Sequence, residues 1–149
     1  KTALLFRAAE KLAVRIGGGH NHRFGLFDMI LIKDNHIDYA GGIVAAISAT
    51  RKYLVKNKLE LRVEIEARNL EEVELVLKTG GVDRIMLDNF SLEDTRKAVQ
   101  LINKRVETEA SGGVQLETVR SIAATGVDFI SVGALTHSYK SLDLSLKAM

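Results

Sequence analysis

The stretch Ile32-Lys33-Asp34-Asn35-His36 comes shortly after Gly17-Gly18-Gly19-His20-Asn21-His22-Arg23. The two put a lysine, an arginine and several imidazoles around the end of an apolar run, Met29-Ile30-Leu31-Ile32. Cations at the mouth of a buried strand are suited to gripping an acidic small molecule. Downstream, Glu66 and Asp88 end two more strand-like runs. Two small-residue loops follow, Ser111-Gly112-Gly113 and Ser131-Val132-Gly133-Ala134. One charged strand end is ordinary solvation. A cation, two carboxylates and two glycine loops at successive strand ends read better as a site.

Taken singly, each signal has a plain reading beside the chemical one. His20-x-His22 has the form of a metal pair, but no cysteine or third ligand stands at metal-site spacing, which favours a surface loop. Arg23 binds a ligand or pairs with Asp28, and Lys33-Asp34 is a site or an exposed strand exit. Glu64 and Glu66 share one side of a strand, and simple solvation is the preferred reading of Glu64. Asp88-Asn89 serves either a site or the turn before Ser91. Ser111-Gly112-Gly113 sits between strand and helix, where bare amides cradle phosphate or where a tight turn needs glycine. The loop at Gly133 repeats the arrangement one strand later, and two adjacent loops of this kind match the phosphate site of α/β barrels.

These residues need a scaffold, and the periodicity supplies one. Helices are predicted over Ala3 to Ile16, Ile43 to Val55, Leu70 to Lys78, Leu92 to Asn103 and Leu116 to Thr125. Strands are predicted over Met29 to Lys33, Leu61 to Ala67, Arg84 to Asp88, Val106 to Ala110 and Phe129 to Val132. Tyr139 to Met149 fits helix or strand. The fold class is therefore α/β, with parallel βα repeats and about five strands. A full α/β barrel has eight strands, so the expectation is a partial barrel, with an open flavodoxin-like doubly wound sheet as alternative. In either, function gathers at the carboxyl ends of the strands, where Lys33, Glu66, Asp88, Ser111 and Gly133 fall.

The chain has 149 residues, and nothing in it marks an internal linker, so residues 1–149 read as one domain. A net charge of +2 gives no argument for nucleic acid or an anionic membrane. No apolar run reaches the ~20 residues that span a bilayer. With no signal-peptide pattern at Lys1-Thr2-Ala3, the expected location is cytoplasmic. Cysteine is absent, which excludes disulfides and thiolate chemistry, and proline is absent too. The double absence points to an engineered sequence.

The motifs Gly-Gly-Gly-x-Asn-His-Arg, Ile-Lys-Asp-Asn-His, Val-Glu-Ile-Glu, Met-Leu-Asp-Asn, Glu-x-Ser-Gly-Gly and Ser-Val-Gly-Ala-Leu-Thr-His occur in this order. They closely resemble quinolinate phosphoribosyltransferases, over nearly the whole chain, and specifically the family's C-terminal barrel domain. The resemblance implies conversion of quinolinate and phosphoribosyl pyrophosphate into nicotinate mononucleotide, pyrophosphate and carbon dioxide, with Mg2+. It implies that Lys1, His22, Arg23 and Lys33 hold the two quinolinate carboxylates. Glu66 and Asp88 would face the ribose and the magnesium-bound pyrophosphate, with Lys33 completing the catalytic set. Ser111, Gly112, Gly113 and Gly133, with His137, would hold the 5′-phosphate.

The departures matter. The family motif runs Thr-Arg-Lys-Thr-Thr-Pro, whereas this sequence opens at the lysine and carries Ala3 and Leu4 in place of threonine and proline. The expectation is therefore a domain lacking the preceding arginine, the first barrel strand and the family's N-terminal domain, which lends an arginine across a dimer. A second reading is an engineered, inactive piece that keeps at most a phosphate-binding rim. Leu4 is expected to let the first helix start early, and apolar surface at Leu4, Leu5 and Phe6 to favour a homo-oligomer.

Overall fold

Apolar runs separated by helix-forming stretches fold into one five-stranded parallel sheet. Its strands are β1 (Ile30–Ile32), β2 (Val63–Ala67), β3 (Arg84–Asp88), β4 (Glu107–Ser111) and β5 (Phe129–Ile130). Helices α2 (Asp34–Ala40) and α3 (Ile43–Asn57) join β1 to β2. Single helices α4 (Leu70–Thr79), α5 (Leu92–Ile102) and α6 (Leu116–Ala123) make the later crossovers. Helix α1 (Arg7–Ile16) precedes the sheet and α7 (Ala134–His137) follows it. This computed structural model describes residues 2–148.

The spatial order β1-β2-β3-β4-β5 decides between the two architectures. Each crossover steps one strand in the same direction, so right-handed connections place every crossover helix on the same face. Successive helices α2 to α6 accordingly pack side by side. A doubly wound sheet must reverse its strand order to cover both faces. No reversal occurs, and the sheet is an arc of an α/β barrel.

The two sheet faces differ chemically. Val63, Ile65, Ala67, Ile85 and Leu87 point to the helices and form the core with residues such as Ile47, Val73, Val76, Ala98 and Ile102. The alternate residues Glu64, Glu66, Arg84 and Glu109 occupy the opposite face, and they too are buried. Register aligns them across the sheet, Glu64 beside Arg84 and Arg84 beside Glu107.

Several boundaries differ from expectation for local reasons. Helix α1 starts at Arg7, not Ala3, because Leu5 takes a left-handed conformation (φ 64°). The predicted strand exit at Lys33 is in fact the start of α2, which sequence periodicity missed. It is only seven residues long, shorter than a periodicity window resolves. The segment 139–148 has no regular structure, and Met149 lies outside the described residues.

The chain divides into two compact units. His22–Val132 holds the whole sheet with α2 to α6. The other unit combines the chain up to Asn21 with the chain from Gly133 onward, and within it α1 packs on α7.

Candidate functional site

At the carboxyl edge of the sheet, Lys33 caps α2 with an extended backbone (φ −91°, ψ 166°). Its amide donates to Nδ1 of His36 at 3.0 Å, so that imidazole satisfies a helix start. Its ammonium lies 3.3 Å from Glu66 Oε1 on the next strand. The other Glu66 oxygen accepts the Asp34 amide at 3.2 Å, in the first turn of α2. A cation and a helix N-terminus therefore both stabilise this carboxylate. Glu66 pairs in register with Met86, which puts Asp88 two residues further along the same side, and Asp88 pairs with Ser111. Lys33, Glu66, Asp88 and Ser111 thus form one rim on four neighbouring strand ends.

Below this rim lies an ionic network, buried at Glu64, Arg84 and Glu109 and open to solvent at Arg62 and Glu107. His22 Nε2 is 2.7 Å from Glu64 Oε2 and 3.5 Å from Glu109 Oε1. Arg84 Nη1 donates to Glu109 Oε2 at 2.6 Å, and Arg84 Nη2 donates to Glu107 Oε2 at 2.8 Å. Arg62 reaches the same Glu107 oxygen at 2.5 Å. Ser131 donates its hydroxyl to Glu109 Oε1. The guanidinium of Arg84 also stands 4.0 Å from the centroid of the Phe129 ring, a cation–π contact.

This environment shifts two carboxyls in opposite directions. Burial pushes Glu64 up, and the charge of Glu109 adds to that, while the His22 hydrogen bond and Arg84 only partly offset it. Glu107 is drawn below its ordinary value: burial alone would raise it, but the hydrogen bonds from Arg62 and Arg84 outweigh burial. One oxygen of Glu64, Oε1, is buried with no hydrogen-bond partner.

The Ser111-Gly112-Gly113 loop leads from β4 towards α6, whose N-cap is Gln115. Gly112 and Gly113 have φ of 94° and 58°, so the turn does need glycine. A β-carbon at Gly112 would collide with the side chain of Asn89. Turn and site readings of Asn89 and Gly112 therefore meet in one contact. Gly133 and His137 belong to the other unit. There Gly133 is helical (φ −63°), and a β-carbon on it would lie 2.8 Å from His137 Nε2.

The structure corrects the surface reading of Glu64, whose side chain is fully buried. The strand alternates in polarity, but both its faces are covered, as in other parallel sheets. His22 is not a bare loop residue either. It joins Glu64 and Glu109 in a three-donor cluster that no local spacing reveals, because the donors come from distant segments. Arg23 Nη1 donates to the Met29 carbonyl at 3.3 Å, while Asp28 accepts the Phe24 and Gly25 amides. Arg84, Glu107 and Glu109 escaped sequence reasoning; their one signal was charge at alternate strand positions. Ser131, read from sequence as part of a phosphate loop, instead donates to Glu109. Lys1 lies outside the described residues.

The family model for the quinolinate phosphoribosyl transferase C-terminal domain matches residues 1–147. A protein of Arabidopsis thaliana named nicotinate-nucleotide pyrophosphorylase (carboxylating), chloroplastic, is 55% identical over 161 aligned positions, covering 99% of this chain and 46% of that protein. A Bacillus subtilis protein named probable nicotinate-nucleotide pyrophosphorylase (carboxylating) is 45% identical, covering 98% of this chain and 49% of that protein. The crystal structure of NadC from Streptococcus pyogenes superposes with a TM-score of 0.90 at 44% identity, over 99% of this chain and 50% of that one. The chain spans about half the length of these relatives.

Proposed function

Since the chain belongs to the quinolinate phosphoribosyltransferase family, as its C-terminal domain, we propose that its strand-end rim serves the transfer of a phosphoribosyl group to quinolinate. The products are nicotinate mononucleotide, pyrophosphate and carbon dioxide. The observation that carries the reading is the Lys33–Glu66 pair beside Asp88 and Ser111 on neighbouring strand ends.

Lys33, Arg23 and His22 supply positive charge and donors for the two quinolinate carboxylates. Engaging the ligand, Lys33 exchanges one carboxylate partner for another, which releases Glu66 towards the ribose. A carboxylate near the ribose carbon stabilises positive charge that develops as pyrophosphate departs. Gly112 and Gly113 amides, with Ser111, receive the 5′-phosphate. Glu66 and Asp88 present hard oxygen donors at adjacent strand ends, a set that suits Mg2+, which takes one or two carboxylates together with substrate phosphates. When bound, the ion would neutralise charge on the pyrophosphate leaving group.

The test is quinolinate-dependent formation of nicotinate mononucleotide by the protein carrying this domain. Glu66→Gln is expected to lower kcat by about 10²–10³, the scale of losing one preorganised electrostatic group. Lys33→Ala is expected to act on KM for quinolinate. An unchanged kcat in Glu66→Gln together with an unchanged KM in Lys33→Ala would overturn the reading.

The same proposal includes self-association and a cytoplasmic setting. Leu4, Leu5 and Phe6 are exposed, as are Leu12 and Ile16 of α1, which supports burial against a second copy. No described helix is long and apolar enough to cross a membrane. One plant relative is named chloroplastic and another mitochondrial, so subcellular fractionation decides the compartment.

A further inference from the structure

We propose that His22, Glu64 and Glu109 form a second cation site, distinct from the rim carboxylates Glu66 and Asp88, for a divalent first-row transition metal ion such as Zn2+. Three observations carry it. One nitrogen and two carboxylate oxygens, one from each residue, lie within 4.8 Å of one another. Glu64 is fully buried and Glu109 is 1% exposed, so both carboxylates are held away from bulk water. Glu64 Oε1 has no hydrogen-bond partner, a deficit that protein groups leave uncompensated.

The geometry needs one adjustment. Tetrahedral ligands at ~2.1 Å are about 3.4 Å apart. The His22–Glu109 separation of 3.5 Å already meets that value, and the His22–Glu64 separation of 2.7 Å must open to admit the ion. An ion would take the place of the proton that His22 and Glu64 share. Outer partners are already in place: Arg84 holds Glu109 Oε2 and Ser131 donates to Glu109 Oε1, which fixes that carboxylate's orientation. Arg84 also lies 3.9 Å from Glu64, but Glu107 offsets its charge. Imidazole with two carboxylates favours a borderline ion over Mg2+ or Ca2+, which select oxygen alone. His22 keeps its second ring nitrogen for a substrate carboxylate, so the two roles coexist.

Isothermal titration of the chain with Zn2+, together with the visible absorption of bound Co2+, tests this. One equivalent should bind. His22→Ala and Glu64→Gln should each weaken it at least ~10-fold, and Ser131→Ala should weaken it less. Glu66→Gln and Asp88→Asn should leave it unchanged, which separates this site from the rim. NMR provides a readout on the unaltered chain, with His22 ring signals broadened by Co2+. The proposal is overturned by absence of uptake at millimolar Zn2+, by uptake undiminished in His22→Ala and Glu64→Gln, or by uptake lost only in the Glu66 and Asp88 variants.

Discussion

Gly112 holds a left-handed conformation against the Asn89 side chain at the rim, so a branched residue there meets both strain and collision. Gly112→Val should cost about 1–3 kcal/mol by urea denaturation. It should also abolish amide chemical-shift changes at Gly112 and Gly113 on titration with inorganic phosphate. Changes of normal size in the variant would detach this loop from phosphate. Glu107 supplies a pH signature. Its folded-state pKa lies below the ordinary 4.5, so the stability it adds is present above that value and fades as pH falls through the folded one. Glu107→Gln should therefore flatten the acid limb of the stability curve below about pH 4.5 and reduce stability at neutral pH. Glu64, shifted upward by burial, acts with the opposite sign: its charged form is disfavoured in the fold as pH rises.

Among the elements, α5 has a strong start signal. Ser91 accepts the Asp94 amide at 3.0 Å, and its hydroxyl donates to Asp94 Oδ2. Ser91→Ala should cost about 1 kcal/mol. Asn69 plays the same part for α4, accepting the Glu72 amide at 2.9 Å. Strand β3 has the opposite character, because its contribution comes from packing. Ile85 is fully buried between sheet and helices. Ile85→Ala should cost about 2–5 kcal/mol, through lost transfer energy and a residual cavity. A cost under 1 kcal/mol would mean that the helix layer collapses onto the sheet when volume is removed. Helix α1, in contrast, buries none of its own residues. Its stability in isolation is marginal by length alone.

At the scale of the molecule, a cluster of exposed apolar residues on and before α1 is a self-association hazard or a designed contact. Sedimentation across a hundredfold concentration range should show a dimer or higher species. Replacing Leu4, Leu5 and Phe6 together by Ser should shift the profile towards monomer. A monomer throughout in the unaltered chain would remove the self-association proposal.

What the sequence determined by itself was periodic and local. The α/β class, strand β3 to the residue, and the helix start at Ser91 follow from hydrophobic period and side-chain chemistry within a few positions. The placement of Lys33, Glu66, Asp88 and Ser111 at or near strand ends followed from the same alternation. Tertiary structure decided the rest. Barrel arc or doubly wound sheet depends on which strand neighbours which, and periodicity is the same in both. Whether Glu64 meets water or His22 depends on what covers the second face of the sheet, and an alternating strand carries no record of that. The meeting of His22, Glu64 and Glu109 is a long-range event, because a parallel sheet brings side by side residues that are dozens of positions apart in the chain.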